Sequence, residues 1–162
     1  MTESKDLSLI ERAVTVPAPP DRAFKHFVED FAEWWPQAYT WSGGVLQEVG
    51  IEPRTGGHCY EIGPGGFRCD WGTVLVFEAP QRLVFSWQIN HDRTPQPDPA
   101  RAGQVEVRFG PQDDHGGFCR VKLEHRGFER YGSGGAGYRA ALDGPEGWTY
   151  ILASYAGYCD LE

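Results

Sequence analysis

The groups in this sequence able to move a proton or hold a polar ligand atom are few and scattered. They are Glu61, Asp70, His91, Glu124 and His125, with Tyr60 and Tyr155 as hydroxyl partners. General acid–base work needs such a group within reach of the reacting atom, with a pKa near the working pH. His125 follows Val121 and Leu123 at a spacing of two, which in a strand points all three to one face. Its imidazole there either contacts a ligand or satisfies one buried hydrogen bond. Tyr60 and Tyr155 divide in the same way, between a ligand oxygen and a satisfied core hydroxyl. No catalytic residue is assigned on these grounds.

Other chemistries are poorly supported. His58 and Cys59 are adjacent in a predicted strand, so their side chains leave on opposite faces. His115 and Cys119 lie in a turn and a strand without the paired spacing of a zinc site. No G-x-S-x-G elbow is present, and no cysteine sits at a helix N-terminus that would activate it. The glycines at 132–137 lack the Lys-Ser/Thr of a phosphate-binding loop. No metal and no cofactor are expected.

The aromatic side chains carry the stronger signal. They make up 14% of 162 residues, with 6 Trp, 7 Tyr and 9 Phe. Such rings fill a core, line a ligand cavity, or do both. Trp71, Phe85, Trp87, Trp148, Leu152 and Tyr155 have spacings that let them converge between a sheet and a helix, while Trp34, Trp35 and Trp41 could close one end. The alternative is ordinary core packing.

Charge narrows the partners. Fifteen Lys and Arg stand against 23 Asp and Glu, for a net charge of −8, and no basic run occurs. Nucleic-acid backbones and anionic membrane surfaces attract cationic patches, so neither is an expected partner. The stretch MTESKDLSLIERAV has no apolar run of signal-peptide length, and no segment approaches the ~20 apolar residues that span a bilayer. Cys59, Cys69, Cys119 and Cys159 form no C-x-x-C pair, which fits free thiols in a cytoplasmic protein.

Elements able to position these groups follow from periodicity and turn residues. Residues 9–16 alternate as a strand, with Ile10, Val14 and Val16 on one face. Pro20 and Asp21 start a helix, and the segment reads as two short helices over 20–29 and 30–35. Strands follow at 45–51, 57–62, 67–78 and 82–90. In the last of these Leu83, Phe85, Trp87 and Ile89 alternate with Val84, Ser86, Gln88 and Asn90, as in a strand buried on one face. A Pro-rich loop covers 92–100. Further strands hold Val105, Val107 and Phe109, and then residues 118–126, across a polar turn at 112–117. Residues 132–137, GSGGAG, read as flexible. Asp143-Gly144-Pro145-Glu146 starts a helix that carries Trp148, Ile151, Leu152, Tyr155 and Cys159 on one face. The order is that of an α+β fold in one domain spanning 1–162.

Several phrases also resemble one family. They are VPAPPDRAF at 16–24, WWP at 34–36, IEPRTGGHCYE at 51–61, WGTVLVFEAPQRLVFSW at 71–87, VEVRF at 105–109, LEHRGF at 123–128, and the helix from Gly147-Trp148 onward. In this order they are similar to the activator of heat-shock-protein-90 ATPase homologue-like family, within the START-related helix-grip superfamily (SRPBCC). The resemblance implies a curved antiparallel sheet of six or seven strands wrapped around a long C-terminal helix, with two short helices after the first strand. It also implies a cavity for a small hydrophobic or aromatic molecule, lined by Trp35, Trp41, Tyr60, Trp71, Phe85, Trp87, His125, Trp148, Leu152 and Tyr155. The superfamily includes lipid carriers, cyclases and hydroxylase subunits, so the resemblance implies a fold and a cavity rather than one reaction. A cyclase- or hydrolase-type enzyme using that cavity, and a chaperone co-regulator-like protein-interaction module, with a homodimer joined through Trp34, Trp35 and Trp41 as one form of it, are the alternatives. The Gly-rich run over 131–147, with Gly144-Pro145 before the helix, departs from the family pattern, and either a shorter helix or a mobile flap at the cavity entrance would follow from it.

Overall fold

A computed structural model of the chain describes residues 6–112 and 117–161. Most of the polar turn expected at 112–117, with His115, lies outside the described residues. Seven strands run β1 (Ile10–Val16), β2 (Glu48–Ile51), β3 (His58–Ile62), β4 (Arg68–Glu78), β5 (Arg82–Trp87), β6 (Gly103–Pro111) and β7 (Cys119–Arg126). The helices are α1 (Pro20–Val28), α2 (Phe31–Trp34), α3 (Gly135–Asp143) and α4 (Trp148–Leu161). The strands form one antiparallel sheet in the order β1-β7-β6-β5-β4-β3-β2. It curls around the C-terminal helices as a half-barrel, the helix-grip arrangement.

Local chemistry accounts for most of these elements. Pro20 opens α1 with its φ already helical and no N–H to leave unpaired, and Asp21 complements the helix N-terminus. Trp148, Ile151, Leu152, Tyr155 and Cys159 are the buried residues of α4, the stripe that their spacing requires. Tyr155 donates its hydroxyl proton to the Ala23 carbonyl at 2.6 Å, which ties α4 to α1. In β1, Ile10 and Val16 are buried while Glu11, Ala13 and Thr15 are exposed.

Three expectations need correction. The strand expected at 45–51 begins only at Glu48, because Gly43–Val45 form a short 3-10 turn with Gly43 at φ +52°. β5 is buried on both faces rather than one. Val84, Ser86 and Gln88 are all covered. The Pro-rich loop folds back on Gln88, whose Nε2 donates to the Gln96 carbonyl at 3.0 Å while the Gln96 N–H returns to the Gln88 carbonyl at 2.9 Å, and Ser86 donates to the Gln88 side chain at 2.6 Å. Thirdly, the glycines at 132–137 do not make a flexible segment. Phe128–Gly134 form tight 3-10 turns and Gly135 opens α3. A Cβ at Gly135 would lie 2.2 Å from the Phe128 carbonyl oxygen, so glycine is needed there for close packing. Helix α4 likewise starts at Trp148, beyond Pro145, and a Cβ on Gly147 would meet the Leu142 carbonyl at 2.0 Å.

The core lies between the concave face of the sheet and the helices. It is largely aromatic: Phe31 stacks on Trp35 at 4.6 Å, Trp35 on Trp71 at 5.3 Å, and Trp87 meets Trp148 edge-on at 5.3 Å. Among the described residues every buried side-chain nitrogen and oxygen has a hydrogen-bond partner. None of the described helices is long and apolar enough to cross a membrane.

Candidate ligand-binding site

The residues expected to line an interior cavity separate into two groups. Trp35, Trp71, Phe85, Trp87, His125, Trp148, Leu152 and Tyr155 are all buried; the seven apolar ones belong to one cluster, and the His125 ring packs on its Trp87 and Trp148. Trp34 and Trp35 therefore offer no surface to a second copy of the chain; they pack on Phe27, Phe31, Trp71 and Tyr155 instead. Tyr60 points elsewhere, donating to Glu48 beneath the Arg68 guanidinium, which lies 4.5 Å from the tyrosine ring centre. Of the ten, Trp41 and Trp87 reach an open cavity.

That cavity has a volume of about 240 Å³. The segment 39–41 supplies Tyr39 and Trp41. The end of β5 and its continuation supply Trp87 and Ile89, and the turn that follows supplies His91 and Arg93. Helix α3 supplies Tyr138, Ala141 and Leu142, and the α3–α4 turn supplies Glu146. The pocket thus sits at the rim of the grip, under α3 rather than α4. Larger grooves exist, one of about 540 Å³ among Arg82, Arg108, Arg120 and Lys122. It lies between charged side chains, with Phe109 the one aromatic among its described lining residues, whereas small-molecule sites are mostly apolar.

The pocket is held by a set of directed hydrogen bonds. The Trp87 indole N–H donates to the Tyr138 hydroxyl at 2.6 Å, and Tyr138 donates onward to the Ile89 carbonyl at 2.9 Å. Tyr39 donates to the Glu146 carbonyl at 2.6 Å and closes the α3–α4 side. The Trp41 indole donates to the Arg93 carbonyl at 2.6 Å. Arg93 has φ +68°, the left-handed region that non-glycine residues seldom enter. Its N–H bonds to the Asn90 carbonyl, and its guanidinium bonds to the Ala38 carbonyl at 3.1 Å. These contacts aim the arginine along the pocket mouth. Burial raises the pKa of the Tyr39 hydroxyl and, further, that of Tyr138, so both keep their protons at neutral pH.

Glu61 acts from behind. Its carboxylate is buried and accepts the backbone N–H groups of Trp41 and Ser42 at 3.0 and 2.7 Å. Trp41 is the common wall between the pocket and a second cavity of about 220 Å³ that includes Glu61, Phe67 and Cys69. Asp70 pairs with Arg68, and Glu124 lies near Arg126, both at the surface. His91 alone of the five titratable candidates reaches the pocket. His125 is placed in the core, where it accepts from the Trp148 indole at 3.0 Å and meets the Tyr131 hydroxyl at 3.1 Å. No three His, Cys, Asp or Glu side chains converge as metal ligands among the described residues, and the four cysteines are unpaired.

Sequence reasoning passed over Tyr39, Ile89, Arg93, Tyr138, Leu142 and Glu146. Tyr138 lies just beyond the glycine run read as flexible, and Arg93 inside a Pro-rich loop. No local pattern marks either as a wall of one pocket, because the walls come from segments about fifty residues apart.

The family model described as Activator of Hsp90 ATPase homolog 1-like protein matches residues 17–158. No curated protein matches the chain in a sequence comparison. Among solved structures, the anthrahydroquino-gamma-pyrone synthase Txn09, determined in a complex, is 32% identical, with 97% of this chain and 99% of that one aligned and a TM-score of 0.65. The self-sacrificing resistance protein CalC from Micromonospora echinospora is 29% identical over 95% of each chain, with a TM-score of 0.63. Protein NE0264 from Nitrosomonas europaea shares the fold at 14% identity, over 93% of this chain and 92% of that one, with a TM-score of 0.62.

Proposed function

The chain belongs to the Activator of Hsp90 ATPase homolog 1-like family, and from that premise we propose that it binds a small aromatic molecule in the pocket under α3. The carrying observation is the convergence of Trp41, Trp87, Ile89 and Leu142 on one open cavity whose mouth holds Arg93, His91 and Glu146. Apolar walls with a few convergent polar groups are the usual composition of a small-molecule site. A flat ring system that buries about 150 Å² there gains roughly 4 kcal/mol before the entropic cost of binding is subtracted. The volume of about 240 Å³, below the usual range of roughly 300–1,000 Å³, favours a ligand of few rings. Its four unpaired cysteines fit a cytoplasmic setting, and the family match over 17–158 fits a single domain.

Isothermal titration calorimetry with a panel of bicyclic and tricyclic aromatics tests this reading, with Trp41→Phe and Trp87→Phe as site probes. Saturable binding that weakens in both variants supports it. Affinity indifferent to both substitutions places the ligand elsewhere and removes the reading.

A cyclase-type enzyme is the second reading. It is favoured by the likeness to a synthase at 32% identity and by the titratable pair His91 and Glu146 on separate segments of the same pocket wall. A resistance protein stands almost as near, so the likenesses do not choose between turnover and sequestration. His91→Gln decides: an enzyme loses turnover while retaining the ligand, and a binder is indifferent in both respects.

A further inference from the structure

The pocket has an uneven supply of protons, and this specifies the ligand more narrowly than its shape does. A tyrosine hydroxyl has one proton to donate and two lone pairs, and an indole has one N–H and no acceptor. Tyr138 gives its proton to the Ile89 carbonyl and takes one from Trp87. Tyr39 gives its proton to the Glu146 carbonyl. The Trp41 N–H goes to the Arg93 carbonyl. The two indole and two hydroxyl donors on the pocket side chains are therefore all spent within the protein. What remains on these residues is one lone pair on Tyr138, those on Tyr39, and the Glu146 carboxylate. Protons left to give belong to Arg93, whose five N–H groups are only partly used by the Ala38 carbonyl, and to His91.

Resting on the reading of this pocket as the ligand site, we propose that it selects a planar aromatic carrying a phenol or enol hydroxyl, which donates to the tyrosine oxygens, together with a carbonyl or oxyanion on the Arg93 side. An aromatic with acceptors alone would set its oxygens against tyrosine lone pairs whose protons point away. Rotating a hydroxyl to meet it would break a bond to a backbone carbonyl. A methyl ether in place of the phenol loses the donated bond and crowds the same oxygen. A single neutral hydrogen bond of this kind separates the two by about five- to tenfold in affinity.

Three probes test this by calorimetry in mildly acidic buffer, where the phenol keeps its proton: 7-hydroxychromone, 7-methoxychromone and chromone. On the wild-type protein the hydroxy compound is expected to bind about five- to tenfold tighter than the ether. That gap should close in Tyr138→Phe or in Tyr39→Phe, whichever ring accepts the bond. Tyr39 is only half-buried, so its variant remains informative if Tyr138→Phe disturbs the fold, and a thermal melt of each variant checks this. Equal affinity for phenol and ether, or a gap that survives in both variants, overturns the selectivity and leaves the pocket standing. No binding of any of the three overturns the pocket reading and the selectivity together.

Discussion

The indole N–H of Trp148 donates to Nδ1 of His125 at 3.0 Å. An indole nitrogen cannot accept, so Nδ1 carries no proton and the neutral ring keeps its hydrogen on Nε2. That hydrogen faces the Tyr131 hydroxyl at 3.1 Å, and Tyr131 donates in turn to the Trp87 carbonyl at 2.9 Å. The chain runs in one direction, from α4 through β7 to β5. A second proton on His125 would meet the Trp148 N–H head-on.

His125 should therefore stay neutral in the folded protein through the whole mild-acid range. Burial lowers its pKa from 6.5 to about 3. Above pH 6.5 both states are neutral at this ring and nothing is gained or lost. As pH falls below that value the unfolded chain takes up a proton that the folded chain refuses. Stability then drops by up to about 1.4 kcal/mol per pH unit until the folded ring itself titrates. Urea unfolding at neutral pH and near pH 5 should show the wild type losing about 2 kcal/mol more than His125→Phe. Equal losses, or an imidazole NMR signal titrating near its ordinary pKa, would contradict the network.

Trp87 serves both the core and the pocket. Trp87→Phe keeps an aromatic ring but removes the N–H that fixes Tyr138. It should lower stability by about 1–3 kcal/mol, and Trp87→Ala, which leaves a large void, by about 3–5 kcal/mol. Ligand affinity should fall several-fold in the milder variant. Chemical denaturation and calorimetry on the same sample measure both effects.

Glu61→Gln replaces one of two acceptor oxygens with an NH₂ group that opposes a backbone N–H. A buried donor left without a partner costs about 1–3 kcal/mol. Hydrogen exchange should accelerate at the Trp41 and Ser42 amides, and the pocket should bind more weakly because its Trp41 wall is no longer pinned. Unchanged protection at both amides would show that the carboxylate does not hold this segment.

Arg93 separates stability from binding. Arg93→Gly accepts φ +68° without a Cβ penalty, while the hydrogen bond lost to the Ala38 carbonyl is at the surface. Its melting temperature should stay close to that of the wild type. Its affinity for an aromatic bearing a carbonyl or oxyanion should fall about tenfold, the worth of one charge-assisted hydrogen bond. A variant that binds as well as the wild type would remove the arginine from the site.

The sequence by itself determined most of the elements and the faces of β1, α1 and α4. Alternation in β1, Pro20 and Asp21 at the start of α1, and the stripe from Trp148 to Cys159 are consequences of neighbours within a few residues, where the periods of strand and helix operate. Ordered phrases from VPAPPDRAF to LEHRGF carried the family and the helix grip. His125 was legible as inward-facing for the same reason, through its phase with Val121 and Leu123. The use of each inward ring was decided only by tertiary structure. Whether Trp71, Phe85 and Tyr155 border a void or other rings depends on how far the sheet curls, and the ring contacts put Trp71 against Phe85 and Tyr155 against Phe27. The glycines of 132–137 carry the same lesson. A glycine serves flexibility or close approach equally well in composition, and the carbonyl of Phe128 beside Gly135 selects close approach. The pocket itself joins Tyr39, Trp87, Arg93 and Tyr138, four positions with no common period, because a site built from a strand end, a turn and a helix exists only once the chain has closed on itself.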